Sequence, residues 1–418
     1  MTDRKGNTNR QLTAARKARK DEFYTTKQIV EEELHWYQKD FQGRPVLCNC
    51  NDWPESEFVK FFMRKMASWN IPKLVAVGYE NTVGTLFEKG HGTLYELTND
   101  GRPADQPYTM KDFKVIELEG SGGFETPECE RLLDIPGVIV CTNPPFSLFR
   151  RFLPLLLDHH VGFLILGNIN AVTYKELFPY FMREECWLGV GPSRGASHFI
   201  VPESYAEELK PGFYDPKTGT AKFGNIRWFT NLAGGRTNKN NLSLEGNYYR
   251  GHESLYPKYD NYDAINVDKV ADIPIDYFGE MGVPITFLDK WAPGSGGFEI
   301  TGRDFEQAGP VTEREREREK WCTRSASTST GEDSTVESSS DVPAHRGTEA
   351  WKGRSMGQGR ASVRRSSEVY AASHPTFRLI GLDRYVPRNP NPGRRFTISG
   401  HEIYARLLIR RNNPNVLE

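Results

Sequence analysis

Short runs of consecutive apolar residues recur between about residues 28 and 232: 45–49 (PVLCN), 73–77 (KLVAV), 114–118 (KVIEL), 137–142 (GVIVCT), 162–167 (GFLILG), 186–190 (CWLGV), 197–201 (SHFIV) and 226–231 (IRWFTN). Runs this short and this continuously apolar predict strands covered on both faces, as in a parallel sheet. Between the first two, residues 55–68 place Phe58, Phe61, Phe62, Met66 and Ala67 at helical spacing. Strands alternating with amphipathic helices predict an open α/β sheet, in which ligands bind beyond the carboxyl ends of the strands.

The pattern changes after residue 232. Residues 233–302 are rich in Asn, Gly, Arg and Tyr, as in GGRTNKNNLSLEGNYYRG and YPKYDNYDAINV, and read as loops that carry contacts. From 303 to 375 an alternating EREREREK run (313–320) leads into a Ser/Thr-rich stretch and a basic Gly/Ser/Arg stretch. With so few large apolar residues this piece cannot offset its ordering entropy, and it is expected to be a disordered insertion. Residues 376–418 resume a folded pattern with FRLIGLDRYV, RFTISG and EIYARLLIRR. FEITG at 298–302 is echoed by FRLIG at 377–381, as if the insertion had partly duplicated the strand beside it, although a five-residue match also arises by chance.

Composition adds limits. The net charge of the 418 residues is −1, so no global basic field points to a polyanion. Locally, residues 1–20 carry Arg4, Lys5, Arg10, Arg16, Lys17, Arg19 and Lys20 against Asp3 alone. Such an arm suits phosphate contact through residues like Arg16 and Lys17, and equally suits a solubilising tail. Six cysteines in a chain this long do not form a disulfide framework, and the single C-x-C pair, Cys48 and Cys50, lacks the four ligands of a structural zinc. No metal is therefore expected. No apolar run reaches the length of a membrane span and the N-terminus has no signal-peptide core, so a cytoplasmic location is expected.

The densest chemistry follows the strand GVIVCT, where Asn143, Pro144, Pro145 and Phe146 stand in sequence. The bland reading is a proline turn leaving a buried strand. The functional reading starts from a planar amine whose lone pair is delocalised and is therefore a weak nucleophile. The Asn143 amide oxygen and the Pro144 carbonyl can both accept its protons, which localises the lone pair for attack on an activated methyl group. The prolines fix φ and hold the carbonyl in place. Phe146 offers a face for a flipped base to stack on. Such an amine occurs in DNA, in RNA and in a protein amide, and Phe at the fourth position favours a base.

Other strand ends complement this tetrapeptide. The first strand ends in Cys48-Asn49-Cys50-Asn51-Asp52, small polar residues that permit close approach of a ligand. The second is followed by Gly78, Tyr79 and Glu80, where Glu80 is a candidate partner for ribose hydroxyls. The third leads to Gly120-Ser121-Gly122-Gly123-Phe124, a turn in which Gly122 leaves room for an adenosyl ring and Phe124 could stack on it.

Taken together, DEFYT (21–25), CNCND (48–52), TNPPF (142–146), NINAVTYKE (168–176), SHFIVPE (197–203), WFTNL (228–232), YPKYDNYDAINV (256–267) and MGVPITFL (281–288) resemble the EcoRI-type adenine-specific DNA methyltransferases, a bacterial and phage family. The resemblance covers about residues 15–300 and resumes at 377–410. It implies a Rossmann-like methyltransferase sheet, S-adenosyl-L-methionine as cofactor, duplex DNA as partner and N6-methylation of a flipped-out adenine without a metal. By the same resemblance Phe23, Tyr24, Thr25 and Cys48 to Asp52 enclose the cofactor, and Asn143 to Phe146 hold the base. It further implies a catalytic domain over 21–232, with DNA recognition placed in 233–302 and 376–418. Candidate DNA contacts are Arg194, Lys258, Tyr259, Asn261 and Tyr262, beside Arg16 and Lys17 of the arm. A restriction endonuclease acting on the same site is a candidate partner.

Two departures from the family pattern stand out. Ser121 and Gly123 occupy a turn where the family has acidic residues, and Asn51-Asp52 stands where it has two acids. They leave open a second reading, a DNA-binding relative with weakened turnover, beside a third in which the substrate is RNA or a protein amide.

Overall fold

The computed structural model describes residues 24–51, 56–79, 91–191, 197–201, 209, 212–237, 239, 247–294, 297–303, 395–403 and 406–412. The chain enters through β1 (Tyr24–Thr25) and α1 (Lys27–Leu34), then builds β2 (Val46–Asn51), α2 (Glu57–Lys65), β3 (Lys73–Gly78), β4 (Thr93–Thr98) and β5 (Lys114–Glu117). Next come β6 (Ile139–Thr142), α3 (Phe149–Asp158), β7 (Gly162–Asn168), β8 (Trp187–Leu188), β9 (Ser197–Ile200), β10 (Tyr214–Asp215), β11 (Thr220–Phe223) and β12 (Ile226–Thr230). The last part holds β13 (Ile265–Asn266), β14 (Met281–Pro284), β15 (Phe298–Arg303), β16 (Thr397–Ile398), β17 (His401–Glu402) and β18 (Arg406–Arg411).

Among the described residues, eight strands form the central sheet in the order β5-β4-β3-β2-β6-β7-β12-β8. The four middle strands are parallel, as their continuous apolar runs predict. The flanks differ from that expectation, because β4, β5, β12 and β8 all join antiparallel. The middle strands divide their side chains between two cores by strict alternation. Leu47, Val75, Val77, Val140, Phe163 and Ile165 face one side, where α3 buries Phe149, Phe152, Leu153 and Leu156. Val46, Cys48, Leu74, Ala76, Ile139, Cys141, Leu164 and Leu166 face the other, covered by α1 and α2. The amphipathic stretch at 55–68 is α2: the Ser56 hydroxyl accepts from the Val59 amide at its start, and Phe58, Phe61 and Phe62 are buried.

Beside the main sheet lies a second one, ordered β1-β9-β11-β10, in which β9 pairs antiparallel with β1. The predicted strand at 197–201 therefore belongs to this accessory sheet. A third sheet, β13-β14-β18-β15, carries Ile265, Met281, Val283, Phe298, Ile300, Leu407 and Ile409 into the same hydrophobic cluster as α3. The region after 232 is thus packed on the central sheet, with β13 and β14 lying where loops were expected and β18 in the stretch expected to fold. β18 pairs with both β14 and β15, so the final sheet element forms. The echo at 377–381 and most of the 303–375 insertion lie outside the described residues, as does the basic arm. No helix among the described residues is long and apolar enough to cross a membrane.

Buried charges fasten these parts. Arg227 of β12 makes a two-pronged ion pair with Asp289, at 2.7 and 3.1 Å, with both side chains 7% exposed. The Lys239 ammonium donates to the carbonyls of Leu188 and Leu288, tying the edge of the main sheet to the segment before β15. Burial pulls Lys239 down to about 7. At the far end of α1, the Glu33 carboxylate accepts from Tyr37 Oη, Val190 N and Gly191 N at 2.8, 2.8 and 2.7 Å. Burial dominates these favourable bonds and the charge of Lys239, and pushes Glu33 up to about 7.

Two predictions follow from the buried charges. Asp289→Ala leaves the Arg227 guanidinium buried without its counter-charge and should lower the unfolding free energy by roughly 3 kcal/mol or more in urea titrations. An unchanged midpoint would show that the pair carries no weight. Because Glu33 binds its proton more tightly when folded, its contribution is full below about pH 4.5 and is lost as pH rises through about 7. Wild-type stability relative to Glu33→Gln should therefore decline between these pH values, with a slope of at most ~1.4 kcal/mol per pH unit. Parallel stability curves would refute the protonated state of Glu33.

Candidate functional site

The order of the parallel strands creates one place for chemistry. From β2 the sheet grows outward through β3, and from β6 it grows the other way through β7. The crossovers leave on opposite sides, so β2 and β6 part at their carboxyl ends and open a crevice there. Their backbones pair at Val46–Ile139 and Leu47–Val140. Beyond that, the Thr142 hydroxyl donates to the Asn49 carbonyl and joins the two strand ends. The register of β2 on β3 shifts between Cys48 and Asn51, and Cys50 takes a left-handed φ of 59°. A non-glycine residue in that region marks a turn held by its surroundings.

Asn143 is the first residue past β6. Its amide Nδ2 donates to Thr25 Oγ1 at 3.2 Å, a contact between residues 118 positions apart. Pro144 is buried and Pro145 has φ −54°. The Leu148 amide donates to the Pro145 carbonyl at 2.9 Å, starting the short 3₁₀ turn Phe146–Leu148 that runs into α3. Phe146 is half-buried and packs on the core under α1 and α2. The tetrapeptide is thus a rigid corner between a buried strand and a buried helix, with its first side chain tied to β1.

The neighbouring strand ends assign their residues unevenly. Cys48 points into the core, where burial raises its thiol far above the ordinary range, so its side chain is not a wall of the crevice. Asn49 is buried at the strand end, Cys50 is half-buried, and Asn51 contributes the last residue of β2. Asp52, Glu80 and Phe23 lie outside the described residues. Gly122 has φ +76°, and a Cβ placed on it would come within 2.7 Å of the Gly78 carbonyl, so this turn sits backbone to backbone on the end of β3. Phe124 does not stack over the turn. It is buried edge-on against Phe152 of α3, with ring centroids 4.9 Å apart. The exposed aromatic at this edge is Tyr79, directly after β3, which the reading of the sequence passed over for Glu80 beside it. An aromatic following a buried strand was the available signal. Although Ser121 and Gly123 carry no acid, Glu128 reaches back to the turn and accepts from the amides of Gly120 and Glu119 at 2.7 and 3.1 Å.

The candidate DNA contacts divide sharply. Tyr259 is buried against Phe396 with its hydroxyl on Asn266 Oδ1 at 2.8 Å, and Tyr262 packs on the same ring and donates to Glu280 at 2.6 Å. Asn261 donates to the Arg395 carbonyl and accepts from the Thr397 amide. These three tie the third sheet to the segment that enters β16, and the two tyrosines satisfy their hydroxyls as well as bury their rings. Lys258 is exposed. Arg16, Lys17 and Arg194 lie outside the described residues.

Comparison with known proteins bears on this arrangement directly. The family described as adenine-specific methyltransferase EcoRI matches residues 11–346. The type II methyltransferase M.EcoRI of Escherichia coli is 41% identical over 290 residues, which cover 68% of this chain and 87% of that protein. M.MpnI of Mycoplasma pneumoniae is 37% identical over 291 residues, 67% of this chain and 82% of that protein. M.MgeORF184P of Mycoplasma genitalium is 34% identical over 281 residues, with the same shares covered. No solved structure gives a significant match. With its tetrapeptide at the β6 terminus and its matched length well over half, the chain belongs to the EcoRI family of adenine-specific methyltransferases.

Proposed function

We propose that the chain methylates N6 of adenine at a specific sequence in duplex DNA, taking the methyl group from S-adenosyl-L-methionine. The observation that carries this reading is the position of Asn143-Pro144-Pro145-Phe146 at the mouth of the β2/β6 crevice, with the Asn143 amide anchored through its nitrogen. With Nδ2 donating to Thr25, the amide oxygen is the atom assigned to meet an incoming amine. Together with the Pro144 carbonyl it would accept a hydrogen bond from each N–H of the adenine amine, drawing the nitrogen towards tetrahedral geometry. The N–CH3 bond would form as the S–CH3 bond breaks, with S-adenosylhomocysteine leaving and one N6 proton passing to solvent. Pro144 and Pro145 hold that carbonyl without further ordering during reaction. Phe146 supplies a ring face for a base turned out of the helix.

The residues at the strand ends fit an adenosyl donor. Tyr79 stands exposed beside Gly123, and the close approach of Gly122 to Gly78 keeps side chains out of the turn. The backbone of Asn49 to Asn51, Tyr79 and the 121–123 turn would hold the cofactor, whose sulfonium supplies the electrophilic methyl. Glu128 binds the turn's own amides, so the missing acids at 121 and 123 leave the turn itself intact. Recognition of the DNA sequence falls to the region after 232 together with Arg194, and the basic arm adds phosphate contacts. Relatives named type II methyltransferases suggest a paired endonuclease and a location in the bacterial cytoplasm.

The deciding experiment is transfer of labelled methyl from S-adenosyl-L-methionine to unmethylated duplex DNA, followed by digestion to nucleosides. N6-methyladenine is the expected product, and label found only in RNA or protein would redirect the assignment. Asn143→Ala should lower transfer on the order of a hundredfold or more while cofactor affinity stays near that of wild type. Equal loss of both would place Asn143 on the cofactor and defeat the role given to it.

A further inference from the structure

Beyond the tetrapeptide, we infer that Thr25 is a positioning residue for Asn143: its hydroxyl fixes the plane of the catalytic amide and strengthens the amide oxygen as an acceptor. The inference rests on the proposed role of Asn143. It differs from the part that family resemblance gives Thr25, which is to enclose the cofactor.

The geometry is specific. Asn143 Nδ2 lies 3.2 Å from Thr25 Oγ1 and donates to it. Thr25 is only 8% exposed, whereas the adjacent Tyr24 is 37% exposed, as alternation along a strand requires. The two residues that resemblance treats as one unit therefore face opposite ways, and Thr25 is the one turned to the tetrapeptide.

Thr25 is also well anchored. Its backbone pairs with Phe199 of β9, which is fully buried. Immediately after it, the Thr26 carbonyl accepts from the Val30 amide at the start of α1, whose Ile29, Val30 and Leu34 sit in the core. The far end of α1 is fastened by Glu33 to the amides of Val190 and Gly191. A hydroxyl held from both sides in this way is a fixed reference point for a side chain that otherwise turns about its terminal torsion.

Two physical effects follow. Turning the amide over would aim its NH2 group at the adenine amine and set donor against donor. Donation from Nδ2 also polarises the amide, and a polarised amide accepts more strongly at its oxygen. That gain is realised as the adenine nitrogen takes up positive charge and its N–H groups become stronger donors in the transition state, so it should appear in kcat and not in ground-state binding.

The test compares Thr25→Val and Thr25→Ser with the wild-type full-length chain. Methyl transfer to duplex DNA gives kcat and KM, and calorimetry gives the Kd of S-adenosylhomocysteine. Thr25→Val should reduce kcat roughly 10- to 100-fold, since the amide loses the hydroxyl that fixes its plane and polarises it. KM for DNA and the Kd of S-adenosylhomocysteine should stay within about twofold, and Thr25→Ser should recover most of the rate. Should Thr25→Val fail to fold, Thr25→Ala takes its place in the same comparison. Full kcat without the hydroxyl overturns the inference. So does a serine variant as impaired as valine, or a Kd that rises in step with the loss of rate. A wild-type chain that forms no N6-methyladenine defeats the proposed function and this inference together, whereas an active wild type with an unaffected valine variant defeats only the inference.

Discussion

The site depends on the parting of two parallel strands. β2 and β6 run together for two residue pairs, and their following strands then lead off in opposite directions. No side chain chooses this location; the crossover order does, because a crevice must open where the connections diverge. The hydrogen bond from Thr142 to the Asn49 carbonyl limits how far the ends separate. It holds the cofactor-side residues of β2 and the tetrapeptide after β6 within reach of one another. Thr142 is fully buried between the cores, so the bond forms where water does not compete for either partner.

Rigidity around the crevice comes from burial on both faces. Each middle strand gives alternate residues to two aromatic-rich cores, and the tetrapeptide ends in a turn leading straight into α3. Phe149 at the start of that helix packs edge-on against Phe229 of β12, with centroids 4.9 Å apart. A shift of the Pro144 carbonyl would have to move either a buried strand or that helix start. Close-packed interiors resist both motions, which is how a loop with two prolines becomes a fixed acceptor.

Much of this arrangement was legible in the residues, for physical reasons that also explain the errors. Strands covered on both faces announce themselves as continuous apolar runs, so β2, β3, β6 and β7 stood out. β4 did not, because TLYELT is half-exposed and alternates with Thr and Glu, which resembles a polar connection. The sequence of β9 looks like a sheet strand, but nothing local says which sheet it joins; its partner β1 lies more than 170 residues away. Tyr259, Asn261 and Tyr262 looked like surface contacts because polar groups dominate their neighbourhood. In a sheet this small the same polar atoms are needed to satisfy one another. Phe124 is buried and Tyr79 exposed for a comparable reason: burial of an aromatic depends on the facing helix, here α3, and not on its own loop.

The third sheet shows how a long addition can leave the enzyme intact. β15 ends at Arg303 and β18 begins at Arg406, yet Arg303 lies opposite Leu407 in an antiparallel pair. The stretch between them therefore connects neighbouring positions on adjacent strands, and the described chain resumes at Arg395 with β16 and β17 ahead of β18. Closing a loop between fixed, adjacent ends becomes only slowly more costly as it lengthens. β18 is at the same time held by β14 on its other side, and Leu407 and Ile409 reach the shared core, so its register is set by burial and not by the connection. An insertion elsewhere, between β6 and α3 for example, would have no such protection, since there the connection is itself a rigid corner between a buried strand and a buried helix.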